Sequence, residues 1–571
     1  MRTKLALAAA VAMVMAAPAS AQEAVGDWAG VLGEGPTALR VVIHISRDAE
    51  GDLGGTLDSP DQNARGIALA EVVAGEGKLA FSVPAILGKY QATWDENAKL
   101  WTGTWEQNVG PSPLNLSAAP RPAPLPANWR ASDDDIAKAL DARIAPRTGQ
   151  GMVAGVVEPE GRRVIARGPA ASVTFDGTTL FEIGSISKVF TALILSDMVN
   201  KGQVALDDPA EKYLPAGHHM PGRNGRKITL KDLSMHMSGL PRLPDNMPMG
   251  DPEDPYADYS EALMLAFLDG YQLPRDIGEK YEYSNLGAGL LGYLLARAAG
   301  SDYETLLRER ITGPLAMSDT AVTLSPAQAK RLAPAFDMYM RPAKPWLLPT
   351  LMGAGGIRSS ADDMLKFAAA ALDPQSPIGP AMKTALANRV DTGDPRFQQA
   401  LGWQVGHPEE GREIVIHNGG TGGFRSALAL EPAKQRGVVA LANSGAEPSA
   451  TDIALHVLVG APVTATPPIP PAPPPPVVRT EVTLPAAELD RVVGRYELLP
   501  NLVMTVARRD EGLTAALTNA PTLPIFAEAP LSFFWKAVNA QVRFTTDESG
   551  KVTAAEFTQD GQHLTAKRLE P

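Results

Sequence analysis

The chain has 571 residues, 44% apolar and 20% charged, which is ordinary globular composition; its length exceeds what one core usually organises, so three domains are expected. The formal charge is -12 with no basic tract, which argues against nucleic acid and acidic membrane surfaces as partners. There is no cysteine, so disulfides, thiol nucleophiles and thiolate metal sites are excluded.

Residues 1–21 read as a secretory signal peptide: Arg2 and Lys4, then the apolar run Leu5–Ala17, then Ala19-Ser20-Ala21 as a small-x-small cleavage site. The run is too short to span a bilayer comfortably, and no later segment is long and apolar enough to do so. The mature protein is therefore expected to begin near Gln22, without an integral membrane segment, in the periplasm or outside the cell. Loss of Arg2 and Lys4 leaves 50 basic against 64 acidic residues, a charge of -14.

From 22 to 118 the sequence alternates in short runs separated by Gly, Asp and Asn, which predicts a small all-β domain with Trp94, Trp101 and Trp105 available to one core. Asp58, Asp61 and Gln62 are a capped turn before they are a binding site. Residues 119–128 alternate proline with other residues and predict a stiff spacer. The main domain, 129–460, opens with a helix and a strand pair around Glu160-Gly161. Helices fill its middle, and strands at Glu413–Gly420, Phe424–Pro432 and Gly437–Gly445, then a helix, close it. The fold class is α+β: a central antiparallel sheet built from both ends of the domain, a helical region inserted between them, and two small all-β domains flanking it. A second proline-rich spacer, 461–478, is expected to be rigid and solvated, and 479–571 reads as a small antiparallel barrel or curved sheet.

Three stretches carry chemistry. Ser185 and Lys188 stand one turn apart at the start of a helix that is apolar nearly all round. A buried amine has a lowered pKa and accepts a hydroxyl proton, and the free N–H groups of a helix start favour an oxyanion. Alone, a Ser-x-x-Lys pair arises often by chance. Tyr283-Ser284-Asn285 precedes the helix at Leu286–Gly300. By itself it is a helix cap beside a core tyrosine; as chemistry, Tyr283 is an acid–base group, and Asn285 donates to a substrate carbonyl and holds Lys188. His417-Asn418-Gly419 ends a β run where glycines would let substrate approach the strand edge; its ordinary reading is a hairpin turn with a surface histidine. None of the eight histidines makes an H-E-x-x-H pattern, and His218-His219 falls in a loop, so no metal is expected.

Together, and in this order, the three motifs resemble those of the serine β-lactamase and penicillin-binding-protein superfamily, nearest its class C β-lactamase, D-aminopeptidase and esterase group. The likeness spans about 129–460, where SMHMSGLP (Ser234–Pro241), LDDP (Leu206–Pro209) and GAGGIRSSADDMLKF (Gly353–Phe367) resemble supporting segments. The end domains resemble the β-rich N-terminal domain of some secreted bacterial enzymes and the lipocalin-like tail of serine hydrolases.

The resemblance implies acyl transfer without cofactor or metal. Ser185 attacks a carbonyl, Lys188 and Tyr283 share the role of base, Tyr283 protonates the leaving group, and the backbone N–H groups of Ser185 and Gly420 hold the oxyanion. Asn285, His417, Asn418 and Gly419 line the substrate. His417 stands where many lactamases have lysine, and Asn418 replaces a hydroxyl by an amide. A substrate carboxylate is then held less firmly, unless Arg425 or an arginine of 353–360 supplies the charge. With an unshifted pKa, His417 would gain charge towards pH 6 and raise cephalosporin turnover relative to ester turnover. The leading reading is a serine hydrolase of an ester, amide or D-amino-acid peptide, its partner a small molecule or short peptide with the cell wall as one source. A class C-like β-lactamase, and a penicillin-binding or sensor protein that acylates without efficient turnover, are the alternatives. The sequence carries no signal of oligomeric state.

Overall fold

A computed structural model describes residues 24–569 except 34–37, 49–50, 60–63, 108–109, 120–125, 127–128, 170–173, 249, 395–396, 410–411, 473–478, 500–501, 510, 519–521, 537 and 560–561. Residues 1–21, the turn residues Asp61 and Gln62, most of 119–128 and the end of 461–478 thus lie outside the described residues. Two compact units divide the chain, Met1–Ala127 and Asn128–Pro571.

The first unit is one antiparallel sheet of nine strands, from Gly26–Leu32 to Gly110–Ala118, in which the first strand also pairs with the ninth. The two edge strands, Ala64–Ala68 and Ala70–Gly75, are separated by one residue, so the sheet curls round until its edges lie side by side. Trp101 and Trp105 are buried, and Trp101 meets the rings of Trp28 and Trp94 at 5.9 and 5.2 Å edge-on, a favoured aromatic geometry.

In the second unit the sheet runs, by position, Gly161–Arg167, Met152–Glu158, Arg436–Ala442, Arg425–Glu431, Arg412–Gly420, Gln404–Glu409, Phe397–Ala400 and Arg389–Asp391, antiparallel throughout. The early strand Met152–Glu158 pairs with the late strand Arg436–Ala442, Met152 opposite Ala442. Both faces are covered. Val438 and Ala440 join the helices Asp133–Ile144 and Ala450–Val459, whereas Val439 and Leu441 join the larger helical core, so the strand reads as an unbroken apolar run. The short polar edge strands at 389–409 and the helices Ala361–Leu372 and Gly379–Ala387 were not among the expected elements.

Fully buried Arg143 pairs with Asp452 at 2.7 Å and donates to Thr464 O and Thr466 Oγ1. The start of 461–478 is therefore docked on the helices rather than fully solvated. Beyond it, eight strands from Gly494–Leu499 to Gln562–Leu569 form a closed barrel, the first pairing with the last. Tyr496, Phe533 and Phe544 fill its core. Its rim meets the helical region at 245–247, where Arg509 lies 3.3 Å from Asp245 beside a cavity of about 400 Å³. Among the described residues no helix is long and apolar enough to cross a membrane.

Candidate active site

Ser185 lies in a single 3-10 turn, Gly184–Ile186, that continues into the helix Ser187–Asn200. Three side chains of this stretch clamp the helix to 353–357. Ser187 Oγ accepts from Ile357 N at 3.1 Å, Lys188 Nζ donates to Ala354 O at 2.7 Å, and Thr191 Oγ1 donates to Gly353 O at 2.9 Å. The short helix Met352–Gly355 comes this close because the helix Asn285–Ala298 presents glycines to it: a Cβ on Gly292 would stand 3.1 Å from Gly353 Cα. Lys188 Nζ is 2.9 Å from Ser185 Oγ. Burial, and then the charge of Arg242, hold the amine well below its ordinary pKa.

Tyr283 sits at the mouth of the Asn285–Ala298 helix, which Ser284 caps by accepting from Gly287 N. Its ring centroid is 4.9 Å from Lys188 Nζ. Burial pushes the phenol far above its usual range, against the opposing effect of its hydrogen bond with Ser185. The motif is tied to 236–242: Ser284 N donates to His236 Nδ1 at 3.1 Å, Ser284 Oγ to Pro241 O at 2.6 Å, and Asn285 N to Arg242 O at 3.0 Å. His236 is buried, takes a left-handed backbone (φ 59°) and lays its ring 4.4 Å from that of Tyr283. Its Nδ1 accepts and burial suppresses its charge, so Nε2 carries the proton.

The strand Arg412–Gly420 passes directly behind the turn that carries Ser185. A Cβ on Gly419 would fall 2.0 Å from Ile183 O, and one on Gly184 (φ 50°) would fall 2.7 Å from Gly420 N. The glycines thus make room for the protein's own 183–186 turn, where a close approach of substrate was expected, and bring Gly420 beside that turn. His417 is buried, its ring 6.5 Å from that of Tyr283, with Nδ1 2.6 Å from Asn418 O. Desolvation, then Lys188, lower its pKa to about 4. Neutral His417 donates through Nδ1 and keeps Nε2 as an acceptor, so it supplies no charge near pH 6, contrary to the expectation above.

Three expected contacts are not made. Asn418, next along the strand, is exposed, and its amide reaches Thr451 at 3.3 Å on the far helix, as the two-residue period of a strand requires. Asn285 does not hold Lys188, which Ala354 O does instead; its Nδ2 donates to Tyr256 Oη at 3.1 Å. Arg425 is paired with Glu447 at 2.7 Å, and Arg358 with Glu182 at 3.0 Å, so neither offers a free guanidinium. Arg242, His236, Tyr256 and Ala354 are the site residues not expected from sequence. SMHMSGLP contains His236 and ends one residue before Arg242, and GAGGIRSSADDMLKF contains Ala354, so these segments marked the neighbourhood of three of them but not their roles.

A buried lysine on a serine, a tyrosine beside both, and a glycine strand behind that serine, on a sheet with an inserted helical region, define a serine hydrolase fold of the β-lactamase type. The chain belongs to the β-lactamase family, whose model matches residues 137–461. Residues 478–568 match a family described as a domain of unknown function, DUF3471. The chain is 33% identical over 273 residues to the D-alanyl-D-alanine-carboxypeptidase/endopeptidase AmpH of Escherichia coli (strain K12), covering 45% of this chain and 69% of that protein. It is 26% identical over 418 residues to penicillin-binding protein 4* of Bacillus subtilis (strain 168), covering 69% and 88%. The crystal structure of a β-lactamase/D-alanine carboxypeptidase from Yersinia pestis with citrate superposes with a TM-score of 0.50 at 26% identity, covering 57% of this chain and 97% of that one.

Proposed function

We propose that this hydrolase works by acyl transfer through Ser185 on an ester, amide or D-amino-acid peptide. The observation that carries the reading is the buried, charge-suppressed amine of Lys188, 2.9 Å from Ser185 Oγ. As Oγ attacks the carbonyl, its proton passes to neutral Lys188. The oxyanion forms against the N–H groups of Ser185 and Gly420. Tyr283, kept as a phenol by burial, gives its proton to the leaving amine or alkoxide and regains one from Lys188, so one proton has moved from Ser185 to the leaving group. Water then attacks the acyl-enzyme by the same route in reverse. The likeness to a D-alanyl-D-alanine carboxypeptidase supports a peptide substrate.

The test is intact-mass spectrometry with a fluorophosphonate, alongside turnover of p-nitrophenyl esters, D-amino-acid p-nitroanilides and a chromogenic cephalosporin. A single adduct, absent in Ser185→Ala, with turnover of esters or anilides above the cephalosporin is expected. An adduct that survives in the variant refutes the nucleophile. A cephalosporin turned over best selects the class C-like β-lactamase, and adducts without turnover select the sensor.

A further inference from the structure

We propose that the helical region carries a second ligand site, apart from Ser185, that takes a small organic oxyanion: a carboxylate or phosphate on an apolar body. The site is a cavity of about 580 Å³, and none of the residues lining it belongs to the site around Ser185. Cavities of about 300–1,000 Å³ are the usual size for small ligands. One wall is irregular. The helix Tyr303–Leu307 passes at once into a single π turn, Arg308–Thr312, closed by Gly313 N donating to Arg308 O at 2.8 Å. Ala316, on the same wall, takes a left-handed backbone at φ 51°. Both features are unfavourable for an ordinary chain and concentrate where a structure binds or reacts.

The wall leaves donors without acceptors. Glu304, the one carboxylate on the lining, and Arg308 are four residues apart, a spacing at which a helix ordinarily pairs them. Here Glu304 Oε1 accepts instead from Val322 N and Thr323 N, at 2.9 and 2.8 Å. The Arg308 guanidinium is left exposed, donating to Thr305 Oγ1 at 3.1 Å and making no ion pair among the described residues. Thr312 lines the cavity and is 5% exposed, yet its hydroxyl makes no hydrogen bond among the described residues. Leu307 and Met317, both buried, give the same cavity an apolar surface. Its far side is held in place, because Ala321 and Arg358 exchange backbone hydrogen bonds at 3.0 and 2.8 Å. A forked, always charged donor beside a free hydroxyl calls for acceptor oxygens carrying negative charge. The apolar surface calls for a hydrocarbon body behind them.

The experiment is titration calorimetry on the full chain with hexanoate, hexyl phosphate, hexanamide and inorganic phosphate, using wild type, Arg308→Gln, Arg308→Lys and Thr312→Val. Hydrogen exchange locates what binds. Hexanoate or hexyl phosphate is expected to bind and to slow exchange across 308–323, and the tighter of the two identifies the head group. Hexanamide in wild type, and the tighter anion in Arg308→Gln, should bind about tenfold or more weakly, the scale of one charge-assisted hydrogen bond. Arg308→Lys should recover part of that loss, keeping the charge without the fork. Thr312→Val should cost less than Arg308→Gln, since one neutral hydrogen bond is removed. Inorganic phosphate, which has no apolar body, should bind more weakly than hexyl phosphate. Arg308 is exposed, so its substitution spares the core. No binding by either organic anion, hexanamide bound as tightly as hexanoate, an affinity unchanged in Arg308→Gln, or protection confined to the stretches around Ser185 and Tyr283 overturns the proposal. Each of these leaves acyl transfer at Ser185 untouched.

Discussion

The carbonyl oxygen of Ile183 occupies the space where a side chain on Gly419 would begin, 2.0 Å from an ideal Cβ. Backbone meets backbone there, so no rotamer relieves the contact. Gly419→Ala should push the strand off the nucleophile turn and spoil the pair of N–H groups facing the oxyanion, lowering kcat by about a hundredfold or more. Gly420→Ala should be milder, because its Cβ would meet the flexible side chain of Arg425 at 3.0 Å. Steady-state kinetics and thermal unfolding of both variants check the order; equal losses would contradict it.

Lys188 is 3% exposed and its charge is disfavoured where it sits. The unfolded chain binds a proton there at neutral pH that the folded state resists, so the native state gives up stability to keep the amine neutral. Lys188→Met should abolish turnover yet raise stability at pH 7 by on the order of 1 kcal/mol, since the folded state no longer has to strip a proton from a buried amine. Urea denaturation measures it, and a variant less stable than wild type refutes the argument.

On the acyl-transfer reading, Lys188 and Tyr283 set the pH dependence of the rate. Lys188 must be neutral to act as base, so kcat/KM should climb as pH rises through its lowered pKa. Tyr283 must stay protonated, and its raised pKa places the descending limb beyond the ordinary tyrosine range near 10. A profile with an ascending limb and a plateau to about pH 10 is expected with an anilide substrate. A bell with its maximum near neutrality would assign the second ionisation elsewhere.

His417 provides a check independent of turnover. Its pKa falls from 6.5 unfolded to about 4 folded, so the native state binds fewer protons between those values and is destabilised as pH drops through the window. The full effect is on the order of 3 kcal/mol. His417→Gln lacks this proton, so between pH 7 and pH 4.5 it should lose less stability than wild type by on the order of 2 kcal/mol. Equal losses in urea titrations at the two pH values would show that the imidazole is not desolvated.

What the sequence made legible was local. Ser185 and Lys188 are one helical turn apart and Tyr283 sits just before a capped helix; neither spacing stands out alone, and it is the order of the three motifs, with the resemblance they carry, that puts these residues forward. The outward turn of Asn418 was also present in the strand alternation once His417 is placed inward. Arg242, His236 and Ala354 were hidden for a different reason: each acts through tertiary contacts with segments far along the chain, and none belongs to a motif with a period. The pairing of Arg425 with Glu447 likewise depends on how a loop folds back across 22 positions. The strands Phe397–Ala400 and Arg389–Asp391 are short and polar, with no alternation to betray them.

Pairing Met152–Glu158 with Arg436–Ala442 has a temporal consequence. A strand near the beginning of the domain has no long-range partner on that side until almost the whole domain has left the ribosome. Until then its backbone N–H and C=O groups face solvent along one edge, open to pairing with another chain. Any shortened chain that stops before residue 436 lacks the strand that closes the sheet, even though Ser185, Lys188, Tyr283 and His417 are all present. Assembling the candidate site residues and completing the scaffold are thus separate events, and the second comes last.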